Sequence, residues 1–296
     1  MNYYNEIKNK LIDNEIHEKV KDYSKERNRV ITYYEVGKLL SDAGKKYGEN
    51  IIGEYSKKLV IDVGKKYDKS TLFKIRKFYL VFSNKKVAPL VPLLNWSHCL
   101  LLIPIKDIDK IEYYIIQTSN RNLSKRQLRD IIKNNEYERL SNNVKNKLIN
   151  KEKLNVMDLV KNPIMIKSNN NNEEISEKML QRLIIEDIPS FLKELGTGFT
   201  FIDNEYKIKL GDRYNYIDLL LFNYEYNCFV VIELKVTELK KEYIGQIEIY
   251  MNYINDNLKK FNQDKTIGII ICKENNRYVI KYCSDNRIIA REYKLV

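Results

Sequence analysis

Apolar residues recur along this chain in two rhythms. Through the first 167 residues the spacing is that of helices, with apolar positions three and four apart. Val36, Leu39 and Leu40 fit a helix ending near Gly44. Ile51, Ile52, Tyr55, Leu59 and Val63 form the stripe of a second, with Gly64 placed to close it in a left-handed cap. Asp68 stands where a cap would start a third helix over 70–82. That helix turns Leu72, Ile75 and Tyr79 to one side and Lys69, Lys74, Arg76 and Lys77 largely elsewhere. A helix, a short turn and a basic helix give the outline of a helix-turn-helix, an outline that ordinary packed helix pairs share. Pro89 and Pro92 interrupt the pattern. Asn95-Trp96-Ser97-His98 then leads into an apolar run, Cys99 to Ile103. A buried Trp beside a capping Ser and a hydrogen-bonded His accounts for this stretch better than a catalytic site does. Ser124 is placed to cap a further basic helix, Lys125-Arg126-Gln127-Leu128-Arg129.

Beyond the polar stretch Lys167–Glu174 the rhythm changes. Met179, Leu183, Ile184, Ile188 and Leu192 predict one helix, kinked or interrupted at Pro189, with Gly196 and Gly198 at its exit. Strands are expected over 199–202, 206–210, 216–221 and 228–234, then a helix over about 243–258. A buried strand, Thr266 to Cys272, and a final β segment over 287–293 complete the order. No internal repeat is evident.

The chain has 296 residues, enough for roughly two domains. With 44% hydrophobic residues it can build a sizeable core, and no apolar run approaches the ~20 residues of a membrane span. The N-terminal stretch is of mixed charge and lacks the apolar segment of a secretory signal. Cys99, Cys228, Cys272 and Cys283 show no CxxC spacing, and His17 and His98 are the only histidines. Zinc sites and disulfide frameworks are therefore not expected, and a reducing cytoplasm fits. Abundant Lys, Asn, Ile and Tyr reflect a compositional bias, so most tyrosines are assigned to core and a few to stacking on unpaired bases.

Net charge sharpens the division. Of the +12 total, residues 1–167 carry 34 basic against 20 acidic side chains, and residues 168–296 carry 18 against 20. The expected layout is a basic helical module at 1–167 that binds a polyanion, joined to a near-neutral module at 168–296.

The chemistry concentrates in the second module. Tyr216-Ile217-Asp218-Leu219-Leu220 ends an apolar run with an acid, and Val230-Val231-Ile232-Glu233-Leu234-Lys235 follows. In a strand, residues two apart share a face, so Glu233 and Lys235 project together and Leu234 turns into the core. A hairpin brings Asp218 beside them. Two carboxylates at a sheet edge form a hard-oxygen site suited to Mg²⁺, with Mn²⁺ as a substitute. An adjacent ammonium positions a water or stabilises charge developing on a phosphoryl group. Downstream, Gln246 and Tyr250 are four apart on one helical face. An internal salt-bridge cluster is the plainer account, but one lysine cannot neutralise two buried acids.

An acid, a strand-length gap, Glu-X-Lys and a following Gln-x-x-x-Tyr resemble the PD-(D/E)XK nuclease superfamily. Further motifs, FLKELGTGFTFI, YNYIDLLLFNYEYNCFVVIELK, EYIGQIEIYMNYIND and TIGIIICKENN, together look like its YhcG-like family. ITYYEVGKLLSDAGKKYGENII, LFKIRKFYLVF, LNWSHCLLL and LSKRQLRDII resemble that family's helical N-terminal domain, so the likeness runs from about residue 30 to the end. The resemblance implies an α+β two-domain chain: a helical, helix-turn-helix-like N-terminal domain and an α/β nuclease core around a mixed sheet. It also implies a bacterial, cytoplasmic, Mg²⁺-dependent nuclease acting on DNA, in defence or repair. Asp218, Glu233, Lys235, Gln246 and Tyr250 take the catalytic positions, Asp218 and Glu233 as metal ligands. Lys69, Lys74, Arg76, Lys77, Lys125, Arg126 and Arg129 are the expected DNA contacts. Ile217 replaces the proline of the superfamily's name, and the helix position that often offers a glutamate falls on Gln181, with Glu177 and Glu186 as substitutes nearby. The competing expectation is a nuclease fold without activity that binds DNA or serves an assembly; RNA cleavage and homo-oligomerisation stay open.

Overall fold

The computed structural model describes residues 3–19, 25–48, 50–168, 175–283 and 285–296. The expected linker, Lys167–Glu174, falls largely outside the described residues. The chain forms two compact units, Met1–Tyr137 and Glu138–Val296. The division lies well before the boundary expected at residue 167.

The first unit is helical: α1 (Tyr3–Lys19), α2 (Lys25–Tyr47), α3 (Asn50–Asp62), α4 (Lys69–Phe82), α5 (Trp96–Leu102), α6 (Ile108–Asn120) and α7 (Lys125–Lys133). Asp68 caps α4 by accepting from the Thr71 N–H at 2.7 Å, and Ser124 with Gln127 forms a capping box on α7. Leu72, Ile75, Phe78 and Phe82 give α4 its buried face. Its approach to α2 is close because Gly37 lacks a side chain: a Cβ there would lie 2.6 Å from the Ile75 carbonyl oxygen. Trp96 packs edge-on against Tyr33 and Phe78, and His98 is buried with its pKa lowered by burial. The cap of α5 is Asn95, which accepts from the His98 N–H at 2.9 Å, rather than Ser97.

The second unit contains α8 (Asn142–Ile149), α9 (Val156–Leu159), β1 (Ile164–Ile166), α10 (Glu177–Glu186), α11 (Ile188–Leu195), β2 (Phe199–Leu210), β3 (Arg213–Asn223), β4 (Cys228–Glu238), α12 (Lys241–Asn257), β5 (Asp264–Glu274), α13 (Arg277–Lys281) and β6 (Ile288–Leu295). Asp187 divides the expected single helix in two, and Pro189 sits in the first turn of α11, where its missing N–H costs no hydrogen bond. The two strands expected at 199–202 and 206–210 are one, β2, continuous through a bulge between Phe201 and Asp203.

The sheet runs β1-β6-β5-β4-β3-β2. The β2–β3 and β3–β4 pairs are antiparallel, and β4–β5, β5–β6 and β1–β6 are parallel. Its central strands read as near-continuous apolar runs because both faces are covered. One face packs Leu219, Ile232 and Leu234 with Leu180, Ile184 and Phe191 of α10 and α11. The other packs Leu220, Val231 and Ile270 with Ile247, Met251 and Ile254 of α12. Gly268 lets α12 settle on β5, since a Cβ there would lie 2.6 Å from the Met251 sulfur.

Long-range pairing explains the earlier division. Parallel β1 adds to β6, and Val156, Val160, Ile164 and Ile166 join the core beneath α10. Arg139 bonds the Pro163 carbonyl and pairs with Glu194. With that division the first unit holds 27 basic and 17 acidic side chains, and the second 25 and 23. The basic excess remains in the helical unit.

Candidate active site

The site forms where β3 and β4 part. Their last recorded pair is Leu219 with Ile232, whereas β4 continues alongside β5 as far as Lys235 opposite Cys272 and beyond. Separation leaves the Leu234 N–H without a strand partner on the β3 side. Asp218 Oδ2 takes it at 2.7 Å, so the side chain stands in for a missing carbonyl. One more step of the antiparallel register sets Asp218 opposite Glu233 on the same face.

Glu233 and Lys235 project together as their two-residue spacing requires, and Leu234 is fully buried between them. The acid and the lysine are deeper than a sheet edge suggests, at 1% and 7% exposure. Lys235 Nζ lies 3.3 Å from Glu233 Oε2 and 3.5 Å from Glu177 Oε2 on α10, and 5.2 Å above the ring of Tyr243. Glu233 Oε1 is buried and has no hydrogen-bond partner.

These contacts set the protonation states. Burial pushes the Glu233 carboxyl up to about 8; the Asp218 charge pushes the same way, and Lys235 only partly offsets both. Burial also raises Asp218, against the Leu234 bond and the lysine, and Glu177 and Glu205 add to the rise. For Lys235 burial acts downward, yet the surrounding carboxylates, Glu233 first, hold its pKa above the ordinary value. A buried acid, a half-buried one and one cation leave an excess of negative charge that burial disfavours.

The helix pair is in place. Gln246 Nε2 donates to the Tyr250 hydroxyl at 3.1 Å, and Tyr250 is held protonated by burial, with the Glu233 and Asp218 charges adding to it. Gln181 also reaches the site, its amide donating to the Asp218 carbonyl at 3.1 Å. Glu177 arrives through Lys235, whereas Glu186 pairs with Arg182 on an exposed face of α10. Among the described residues, no group of three or more His, Cys, Asp or Glu side chains converges closely enough to hold a metal ion. The acidic donors at the centre are Asp218 and Glu233. The unpartnered Oε1 beside a second, half-buried carboxylate is what a hard divalent cation would satisfy, so these residues fit one.

Two neighbours escape the motif. Glu205 on β2 is the register partner of Asp218, bracketed by the pairs Asn204–Leu219 and Tyr206–Ile217, and it holds a left-handed backbone with φ 51°. Its signal was available in the two-residue turn Gly211-Asp212, which fixes that register. Tyr243, beneath Lys235, precedes the Gln-x-x-x-Tyr element and had no signal of its own.

The expected nucleic-acid contacts lie in the helical unit. Lys69, Lys74 and Lys77 are exposed on α4, and Arg76 is half-buried there. Lys125, Arg126 and Arg129 are exposed on α7. A model of the YhcG PDDEXK nuclease domain matches residues 157–296, and one of the DUF1016 N-terminal domain matches residues 9–139. The second part of the chain is thus a PD-(D/E)XK nuclease domain of YhcG type. A relative in Escherichia coli (strain K12), YhcG, named as a candidate nuclease, is 23% identical over 309 residues, covering 89% of this chain and 82% of the relative. Among solved structures, a repair endonuclease from Pyrococcus abyssi aligns at TM-score 0.29 and 19% identity, over 43% of this chain and 49% of its own. A complex of EndoMS with double-stranded DNA aligns at TM-score 0.30 and 18% identity, over 44% and 48%. No helix among the described residues is long and apolar enough to cross a membrane.

Proposed function

We propose that this protein is a divalent-metal-dependent deoxyribonuclease that hydrolyses phosphodiester bonds at the Asp218–Glu233–Lys235 site, with the helical unit holding the DNA. Glu233 carries the reading: a carboxyl at 1% exposure, one oxygen unpartnered, opposite a second, half-buried acid. A fold retains so costly an arrangement more readily when a ligand completes it. Asp218 and Glu233 would hold the ion, Mg²⁺ or Mn²⁺. When bound, it would supply Lewis-acid polarisation of the phosphate and a more acidic water. Lys235, held by Glu233, Glu177 and the Tyr243 ring, presents a fixed positive charge to the phosphate oxygens as charge develops there. Gln246 and Tyr250 form a neutral, hydrogen-bonded pair that can orient the substrate or the lysine without adding charge. The exposed bases on α4 and α7 would contact DNA phosphates, which position the duplex without reading its sequence. Repair or defence against foreign DNA is the setting such an activity fits.

The test is to incubate the full chain with linear, circular, branched and single-stranded DNA and with RNA, in Mg²⁺ or Mn²⁺. Asp218→Asn, Glu233→Gln and Lys235→Ala are each expected to slow cleavage at least about 10²-fold while circular dichroism is preserved. Full activity in all three variants would overturn the assignment. A wild-type chain that binds DNA but cuts no substrate with either metal would favour a nuclease fold kept for binding or assembly.

A further inference from the structure

The β2–β3 hairpin extends past the sheet. Residues 206–217 pair only across the hairpin, since β3 meets β4 from Leu219 onward. Alternation gives this ribbon two unlike faces. One carries Ile208 and Ile217, both buried in the cluster under α12. The other carries Lys207 and Lys209 on β2 and Tyr214 and Tyr216 on β3, all exposed, in the pairs Lys207–Tyr216 and Lys209–Tyr214. The two rings are 56% and 51% exposed. Lys207 Nζ lies 3.8 Å from the Tyr214 ring centroid, so these two side chains share a side of the ribbon.

The strand leads to the candidate active site. Tyr214, Tyr216 and Asp218 are alternate positions on it, about 7 Å apart, and the ribbon twists between Ile217, in the cluster under α12, and Leu219, on the opposite face of the sheet. The lysines and rings thus form a short basic, aromatic track ending at the acid opposite Glu233. We propose that this track grips a single-stranded segment of DNA: Tyr214 and Tyr216 stack on unpaired bases beside the phosphate presented to Asp218 and Glu233, and Lys207 and Lys209 pair with flanking phosphates. Exposed rings interleaved with cations suit unpaired bases, because a stacked duplex offers its base faces only at its ends. The inference rests on the nuclease reading for its location, but the grip requires neither metal nor turnover. It implies a preference for DNA with an unpaired stretch, such as a frayed end, flap or branch, next to the cut.

The test uses the full chain in chelator, so that nothing is cleaved. Single-stranded and blunt duplex oligonucleotides carrying 2-aminopurine report affinity by anisotropy and stacking by quenching. The wild type is expected to quench the single-stranded probe. Tyr214→Ala with Tyr216→Ala should abolish quenching and weaken single-strand affinity by about tenfold or more, while the double Phe variant keeps both. Lys207→Ala with Lys209→Ala should weaken single-strand binding and flatten its salt dependence. Duplex affinity should change little in either. Unchanged quenching and affinity in the Ala variant, or an equal loss on blunt duplex, would overturn the inference. The two readings fail separately. Tyrosine-dependent quenching by a chain that cleaves nothing refutes the nuclease and leaves the grip; normal quenching by Ala variants of a chain that cleaves does the reverse.

Discussion

Removing the Glu233 charge should stabilise the metal-free protein and flatten its response to pH. The carboxyl titrates at about 8 in the folded chain against 4.5 for the free group. Between those values the folded state binds a proton that the unfolded state has released, so stability falls as pH rises. The contribution is fully present below pH 4.5 and is lost as pH passes through 8. A separation of ~3.5 units corresponds to roughly 5 kcal/mol at most, of which about 3–4 kcal/mol is lost between pH 5 and 8. Asp218, also raised, adds in the same direction. Glu233→Gln keeps the shape and deletes the titration. In chelator, scanning calorimetry of the full chain from pH 5 to 8.5 should show the transition of the second unit falling for the wild type, on the order of 10 °C more than for the variant. Groups elsewhere titrate alike in both, so the difference isolates Glu233. At pH 8, Mn²⁺ at a hundred times its Kd should restore about 2.7 kcal/mol to the wild type and little to the variant. Parallel pH slopes for the two proteins would refute the buried, unpaired carboxylate.

Two further outcomes follow from charge. The unit 1–137, with 27 basic and 17 acidic side chains, should bind DNA with a logarithmic salt slope near −0.9 per phosphate neutralised, and 138–296 much more weakly; equal binding by fragments measured in the same salt series would end that division of labour. Gln181→Glu places a carboxylate beside Asp218, so calorimetric titration should show one ion per wild-type chain and roughly tenfold tighter binding in the variant; two tight ions in the wild type would point to Glu177 as a ligand already in use.

Local chemistry made much of this architecture legible in the sequence. Asp68 and Ser124 cap the helices their side chains announced, and Pro189 marks a real break. Glu233, Leu234 and Lys235 alternate because a strand allows nothing else. What escaped depends on distant partners. Three residues, Ile164–Ile166, carry no period long enough to read, and become a strand only because β6 lies alongside. The segment 138–167 is basic and polar like the helical unit, so composition assigned it there, while its apolar residues pack beneath α10. Asp203 to Glu205 looked like a gap between strands because a bulge and a left-handed residue break the alternation within one strand. Glu205 was nonetheless within reach, because the Gly211-Asp212 turn fixes which residue faces Asp218.

The point where β3 leaves β4 does more than place two acids together. Each carboxylate has one oxygen committed: Asp218 Oδ2 to the Leu234 N–H, Glu233 Oε2 to Lys235. The rotamers are thereby fixed before any ligand arrives, and Glu233 Oε1 is left without a partner. An ion bound there would not have to order either side chain, which is the usual entropic cost of assembling a site. The lysine that restrains Glu233 is itself restrained by Glu177 from α10, a half-exposed carboxylate, which in the proposed function a substrate phosphate would displace. The same burial that raises the Glu233 pKa makes its ionised form unfavourable without a cation beside it. Stability lost in the metal-free chain and affinity gained on binding are therefore one free energy seen from two states. A substitution that improves the first, Glu233→Gln above all, should abolish the second, and a packing defect elsewhere in the sheet would produce no such reciprocity.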